Sequence, residues 1–282
     1  MSVGEQALTP SHVLESLELV RSGRVFDLSN HLSPGSPRLS EQTPYVSTLQ
    51  LNPGTGRAWY AAQGATNGVA FAEERVELSF HTGTHLDALG HVWENDQTFE
   101  GTSLLDGVDI WGLSRYGVET VPPMITRGVL LDMPRYLDRT LAPGDAFSPD
   151  QLEGALRAIE TELRAGDVVL LRTGWSQYYE VDNDRYLGGW PGIGLSGAQW
   201  LVDQGVVAIG ADTMGLEVEP GEESDILYPV HAFLLVRAGV YIIEQANLDD
   251  IAQEGVTEFL CLCLPPKFKG GTGAPIRLAA VV

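Results

Sequence analysis

The eleven residues from His81 to His91 read HTGTHLDALGH and gather three of the chain's six histidines around one aspartate, at the spacing H-x3-H-x-D-x3-H. Neutral imidazole and ionised carboxylate are the usual ligands of Zn2+ and also suit Mn2+ and Fe2+. His81, His85 and Asp87 are therefore a candidate ligand set that leaves coordination positions open, as catalysis needs. Gly83 permits a tight turn between the two histidines, so both rings can converge without a helix. Asp87 offsets part of the cation's charge. His91 is either a further ligand or, just beyond the ligands, a proton carrier with a pKa suited to neutral pH.

Two residues far along the chain carry the same chemistry. His231 falls in YPVHAFLLVRAG, and the following apolar run VYIIEQANL holds Glu244, which is costly to bury unless paired or bound to a cation. Together they could complete the first site or build a second beside it, and Glu244 ranks after His91 as a proton carrier. Trp59, Tyr60, Trp93, Trp175 and Trp190 are candidates to line a substrate pocket.

Local patterns give the elements that must position these groups. An amphipathic helix is expected over 10–21, with Thr9 as cap and Gly23 as stop. VFDLSNHL reads as a strand, and 41–75 as a long excursion with short strands. RVELSF alternates Val76, Leu78 and Phe80 as a half-buried strand that delivers the chain into His81. GVLLDM, DVVLLRT and VVAIGAD read as strands. SPDQLEGALRAIETELRAG reads as a helix, with a Ser148/Gln151 capping box, an apolar face reaching Leu163 and a stop at Gly166. SGAQWLVDQG is a second capped helix, and the glycines of LGGWPGIG, 188–194, suggest a mobile loop. Cys261 and Cys263 lie in EFLCLCLP, a buried strand in which they are expected to be core rather than ligands. The pattern is α/β with a mixed sheet, in one domain over 25–282 behind an N-terminal helical extension, 1–24.

Composition excludes several classes. The 282-residue chain is 44% hydrophobic and 20% charged, which suits a folded core. A formal net charge of −21 argues against nucleic acid as a partner. MSVGEQALTPSH lacks the features of a signal peptide and no apolar run is long enough to span a bilayer, so a cytoplasmic protein without membrane attachment is expected.

HTGTHLDALGH resembles the signature of the cyclase family, H-x-G-T-H-x-D-x3-H, at His81, Gly83, Thr84, His85, Asp87 and His91. That family includes bacterial kynurenine formamidase (arylformamidase) and isatin hydrolase. The likeness extends over about 25–282, through VFDLSNHLSPG, DVVLLRTGW, GVVAIGADT, HAFLLVRAGVYIIEQANLDD and GAPIRLAAVV. It implies a swivelling β/β/α-type fold, usually in homodimers or homotetramers. It also implies His81, His85 and Asp87 as ligands, His231 and Glu244 as completing a site of one or two Mn2+ or Zn2+ ions, and His91 as proton donor or acceptor. The implied activity is metal-dependent hydrolysis of a C–N bond (amide, lactam or formamide) in a small aromatic or cyclic substrate.

Two departures bear on the substrate. The Pro-x-Trp-Pro-Gly of family members acting on formylkynurenine, whose tryptophan touches substrate, is replaced by Pro37-Arg38-Leu39-Ser40-Glu41, and the common Asp-Ala-Pro by Asp87-Ala88-Leu89. Rival readings are a lactone or ester hydrolase, a lyase or cyclase on the same cation, an iron oxygenase using two histidines and one carboxylate, and a metal-stabilised binding module.

Overall fold

The apolar runs that read as strands stack side by side in the computed structural model, which describes residues 8–282. Residues 1–7 of the N-terminal extension lie outside the described residues. The nine strands of the main sheet are β1 (Val25–Asp27), β2 (His85–Asp87), β3 (Met124–Asp132), β4 (Val168–Arg172), β5 (Ala208–Ala211), β6 (Tyr241–Glu244), β7 (Glu258–Cys263), β8 (Gly273–Pro275) and β9 (Ala279–Val281). Their spatial order is β1-β9-β7-β3-β4-β5-β6-β2-β8. β3 to β6 run parallel and every other pairing is antiparallel. This is the mixed α/β architecture expected.

Central parallel strands are covered on both faces and so are apolar throughout rather than alternating. Val168 to Leu171 of β4 and Ala208 and Ile209 of β5 are wholly buried. Helix α1 spans Pro10–Leu17, α2 Pro53–Ala62, α3 Pro149–Ala158 and α4 Leu195–Asp203. α3 and α4 pack against each other and bury Leu152, Leu156, Ala198 and Leu201. The Ser148/Gln151 capping box forms as expected, with bonds of 3.0 and 3.4 Å. Cys261 and Cys263 are buried free thiols, and burial pushes Cys261 up to about 12, which keeps it protonated. No helix among the described residues is long and apolar enough to cross a membrane.

Several local expectations need correction. α1 ends at Leu17 rather than residue 21. α3 stops at Ala158, because Glu160 takes φ of 54° and the following segment is drawn onto β3 and β7 by Arg127. Leu163 still packs on the core, but from an extended segment. The strand before the motif is Glu73–Glu77, exposed on both faces and paired only with Val46–Leu51, outside the main sheet. Of the alternating residues only Val76 lies in it; Leu78 and Phe80 follow it outside any strand and are half-buried. The 188–194 stretch is packed rather than free: Trp190 is buried, and a Cβ on Gly192 would lie 2.6 Å from Leu216 O.

Candidate metal centre

β2 is only three residues long, yet it brings the ligand candidates together by register. Successive side chains on a strand point to opposite faces. His85 and Asp87 therefore share one face while Leu86 enters the core, fully buried. Antiparallel pairing with β6 sets Glu244 directly opposite His85, and pairing with β8 sets Gly273 opposite Asp87. Glycine is required there, since a Cβ at Gly273 would approach Leu86 O to 2.7 Å and His81 Cε1 to 2.8 Å. Gly83 has φ of 64°, and a Cβ would come within 2.5 Å of Leu32 Cδ2. Thr84 secures the turn: its hydroxyl donates to Gln245 O at 2.6 Å and accepts from Asn30 N at 2.8 Å.

The hydrogen bonds leave a gap where a cation fits. His81 Nδ1 lies 2.7 Å from Asp87 Oδ1, and its Nε2 lies 2.9 Å from Thr272 Oγ1. His85 donates from Nδ1 to Gly83 O at 2.8 Å, which turns Nε2 inward. Nε2 is 3.2 Å from Glu244 Oε2 and 3.5 Å from Asp87 Oδ1 but is aligned with neither. It and Asp87 Oδ2 are buried without a hydrogen-bond partner. Orphaned buried polar atoms are rare and costly. Two overlapping groups, His81/His85/Asp87 and Asp87/His231/Glu244, bring their ligand atoms within 4.8 Å of one another. Asp87 belongs to both, which suits one ion or two.

His231 reaches the site from helical residues 229–238, whose part Ala232–Ala238 is π-helical, a form that recurs at functional sites. Its Nε2 lies 3.0 Å from Glu244 Oε1 and its Nδ1 2.5 Å from Glu217 Oε1. Glu217 accepts a further bond from Val230 N at 2.9 Å. Sequence reasoning missed Glu217, although it too is a buried acid beside an apolar run, in GLEVEP. A carboxylate on a histidine's second nitrogen fixes the ring's orientation toward a metal.

The electrostatics follow from crowding. Burial raises the Asp87 carboxyl, but His91, His81 and His85 outweigh it and hold Asp87 well below the carboxylate range. Burial and Asp87 raise Glu244, while the hydrogen bond from His231 and the closeness of His85 bring it down to about 2. Burial pulls His231 down, yet Glu217 and Glu244 push it well above its ordinary value. His91 has no such partners. Burial drives it down to about 4 despite the pull of Asp87. Its ring stacks on His81 with centroids 4.0 Å apart.

Above this floor opens a pocket of about 590 Å3. His81, His91, His231 and Glu244 line its base, and Trp93, Trp190, Met214 and Tyr228 line its sides. Leu39, at the position where the family tryptophan was expected, is also on the wall. Of the aromatic candidates, Trp93 and Trp190 belong here. Trp59 and Tyr60 line a separate hollow on the excursion, and Trp175 is buried in a cluster with Tyr179 and Tyr186.

Comparison with known proteins agrees with the fold. The Cyclase family model matches residues 26–218. Cyclase-like protein 2 of Arabidopsis thaliana is 23% identical over 92% of this chain and 80% of its own length. Isatin hydrolase of Roseibium aggregatum is 24% identical over 92% of this chain and 91% of its own. A crystal structure described as a novel cyclase superposes with a TM-score of 0.87 at 26% identity, covering 100% of this chain and 94% of that one. An isatin hydrolase bound to the product analogue thioisatinate gives 0.71 at 21% identity, covering 98% and 99%, and so shares the fold. With the family model spanning the first strand, the histidine motif and the approach to His231, this chain belongs to the Cyclase family.

Proposed function

We propose that this chain is a metal-dependent hydrolase that opens an amide-type C–N bond in a small cyclic or aromatic substrate. The observation that carries the reading is the pair of orphaned buried atoms, His85 Nε2 and Asp87 Oδ2, packed against Glu244 and His81, which line an aromatic-walled pocket. His81, His85 and Asp87 would hold one Mn2+ or Zn2+, and Asp87, His231 and Glu244 a second. Bound there, a divalent cation acidifies water and polarises a carbonyl. Trp93 and Trp190 set the walls that orient the ring, each fixed through its indole N–H, to Gly90 O at 3.0 Å and Glu217 O at 2.8 Å. His91 is neutral at pH 7, and neither of its ring nitrogens has a hydrogen-bond partner among the described residues. It takes a proton from the attacking water and gives it to the departing nitrogen. Relatives named isatin hydrolase support the bond class.

The same floor could open a lactone or ester, or promote cyclisation or elimination. An oxygenase is disfavoured, since its ligand set ordinarily sits on an all-β jelly roll and this sheet is parallel at its centre. Protein purified without added metal should contain a divalent ion by elemental analysis. A screen of formanilides, lactams, cyclic imides, isatin and lactones in 18O-water should then give a carboxylate product carrying the label. No turnover with Mn2+ or Zn2+ would end the hydrolase reading, and unlabelled product would favour a lyase.

A further inference from the structure

We propose that the pocket selects by charge, admitting a neutral or cationic ring and turning away one that bears a carboxylate, with Glu41 as a specificity-determining residue. This rests on the pocket and refines the hydrolase reading given above. Among the described residues the wall contains no lysine or arginine, whereas Glu41 and Glu94 both face it. Arg38 and Arg237, which bond residues of this wall or its neighbours, are engaged there rather than with Glu41. Arg38 donates to Leu39 O at 3.3 Å and Gln42 O at 3.0 Å, and Arg237 grips Glu94 through two bonds, one of 2.9 Å from Nε. Glu94 is thus neutralised. Glu41 is not: among the described residues its carboxylate accepts only from Ser40 Oγ at 3.1 Å, and no ion pair reaches it.

Tyr228 stands on the same wall as Glu41. An aromatic wall beside an unpaired carboxylate favours an ammonium and disfavours an anion. Leu39 and Glu41 occupy the stretch where Pro37-Arg38-Leu39-Ser40-Glu41 replaces the expected Pro-x-Trp-Pro-Gly, so the difference in sequence falls on the wall that would meet the substrate's far end. Glu41 is exposed, so its influence is screened and modest, felt within about 8 Å at physiological salt.

The test is binding to the metal-loaded protein, followed by tryptophan fluorescence, with three benzamides that differ only in a para trimethylammonium, carboxamide or carboxylate group. Affinity should fall in that order, with roughly 3–10-fold between the first and last at low salt and a smaller gap at high salt. Glu41→Arg should shift the carboxylate-to-ammonium affinity ratio by about 10-fold or more toward the carboxylate. Any direct ligation of the carboxylate by the metal is common to both proteins and cancels in that ratio. An unchanged ratio in Glu41→Arg, or no saturable binding of any of the three, overturns the proposal. Its failure is separable from that of the hydrolase reading, because binding is read without turnover and turnover is scored by the labelled-water screen.

Discussion

A single hydrogen bond decides what His85 can do. With Nδ1 committed to Gly83 O, Nε2 is the nitrogen left to face Asp87 and Glu244, and it points between them. His85→Ala should therefore remove most of the bound metal and the activity together; elemental analysis showing full metal content in the variant would displace the site. His91 has a different place, stacked on His81 and held neutral by burial, with no carboxylate bonded to it. His91→Ala should retain the metal and lose roughly 10²–10⁴-fold in rate, the usual contribution of a general acid or base. If metal is lost as completely as in His85→Ala, His91 is a ligand, and Glu244 becomes the proton carrier to examine.

Elements repeat the lesson with longer reach. The motif HTGTHLDALGH was legible because its candidate ligands lie within eleven residues; the short strand that puts His85 and Asp87 on one face was not. Glu244 was legible as an acid in an apolar run. Glu217 was not, because only the packing of residues 229–238 carries His231 back to it. The premature end of α3 was hidden for the same reason. Arg127 on β3 donates to Asp167 at 2.9 and 2.6 Å, to Glu258 at 2.7 Å and to Glu162 O at 2.7 Å, so residues 159–167 follow a buried guanidinium rather than their own helical periodicity. Burial raises Glu258, but bonds from Thr161 and Arg127 outweigh it and the carboxyl sits below its ordinary value. A group lowered on folding contributes stability above its unfolded pKa and loses that contribution as pH falls through its folded pKa. Glu258→Gln should thus cost about 1 kcal/mol near pH 7, a partly exposed pair being screened. The difference from wild type should shrink as pH falls below 4.5. Denaturant unfolding at pH 7 and pH 3 reads this; a difference that grows in acid would contradict the ion-pair account.

Across the whole molecule, a chain of net charge −21 concentrates Asp87, Glu217 and Glu244 in one buried cluster, where histidines are the only side chains of opposite charge bonded to them among the described residues. Such an arrangement is completed by a cation, and a ligand that binds the folded state alone stabilises it by mass action. At free metal about 100-fold above its dissociation constant the gain is ~2.7 kcal/mol. For a chain of this size that corresponds to a rise in melting temperature of about 5 °C over chelator-treated protein. Asp87→Asn separates this effect from general packing. The amide has nearly the same shape and its oxygen can still accept from His81, so the fold should survive, but the charge shared by both candidate ion positions is gone. The metal-induced rise should fall to less than half its wild-type size in this variant, while the chelated proteins keep the same cooperative transition. An undiminished rise in Asp87→Asn would mean that the cation binds elsewhere, and the assignment of this floor as the metal centre would fail.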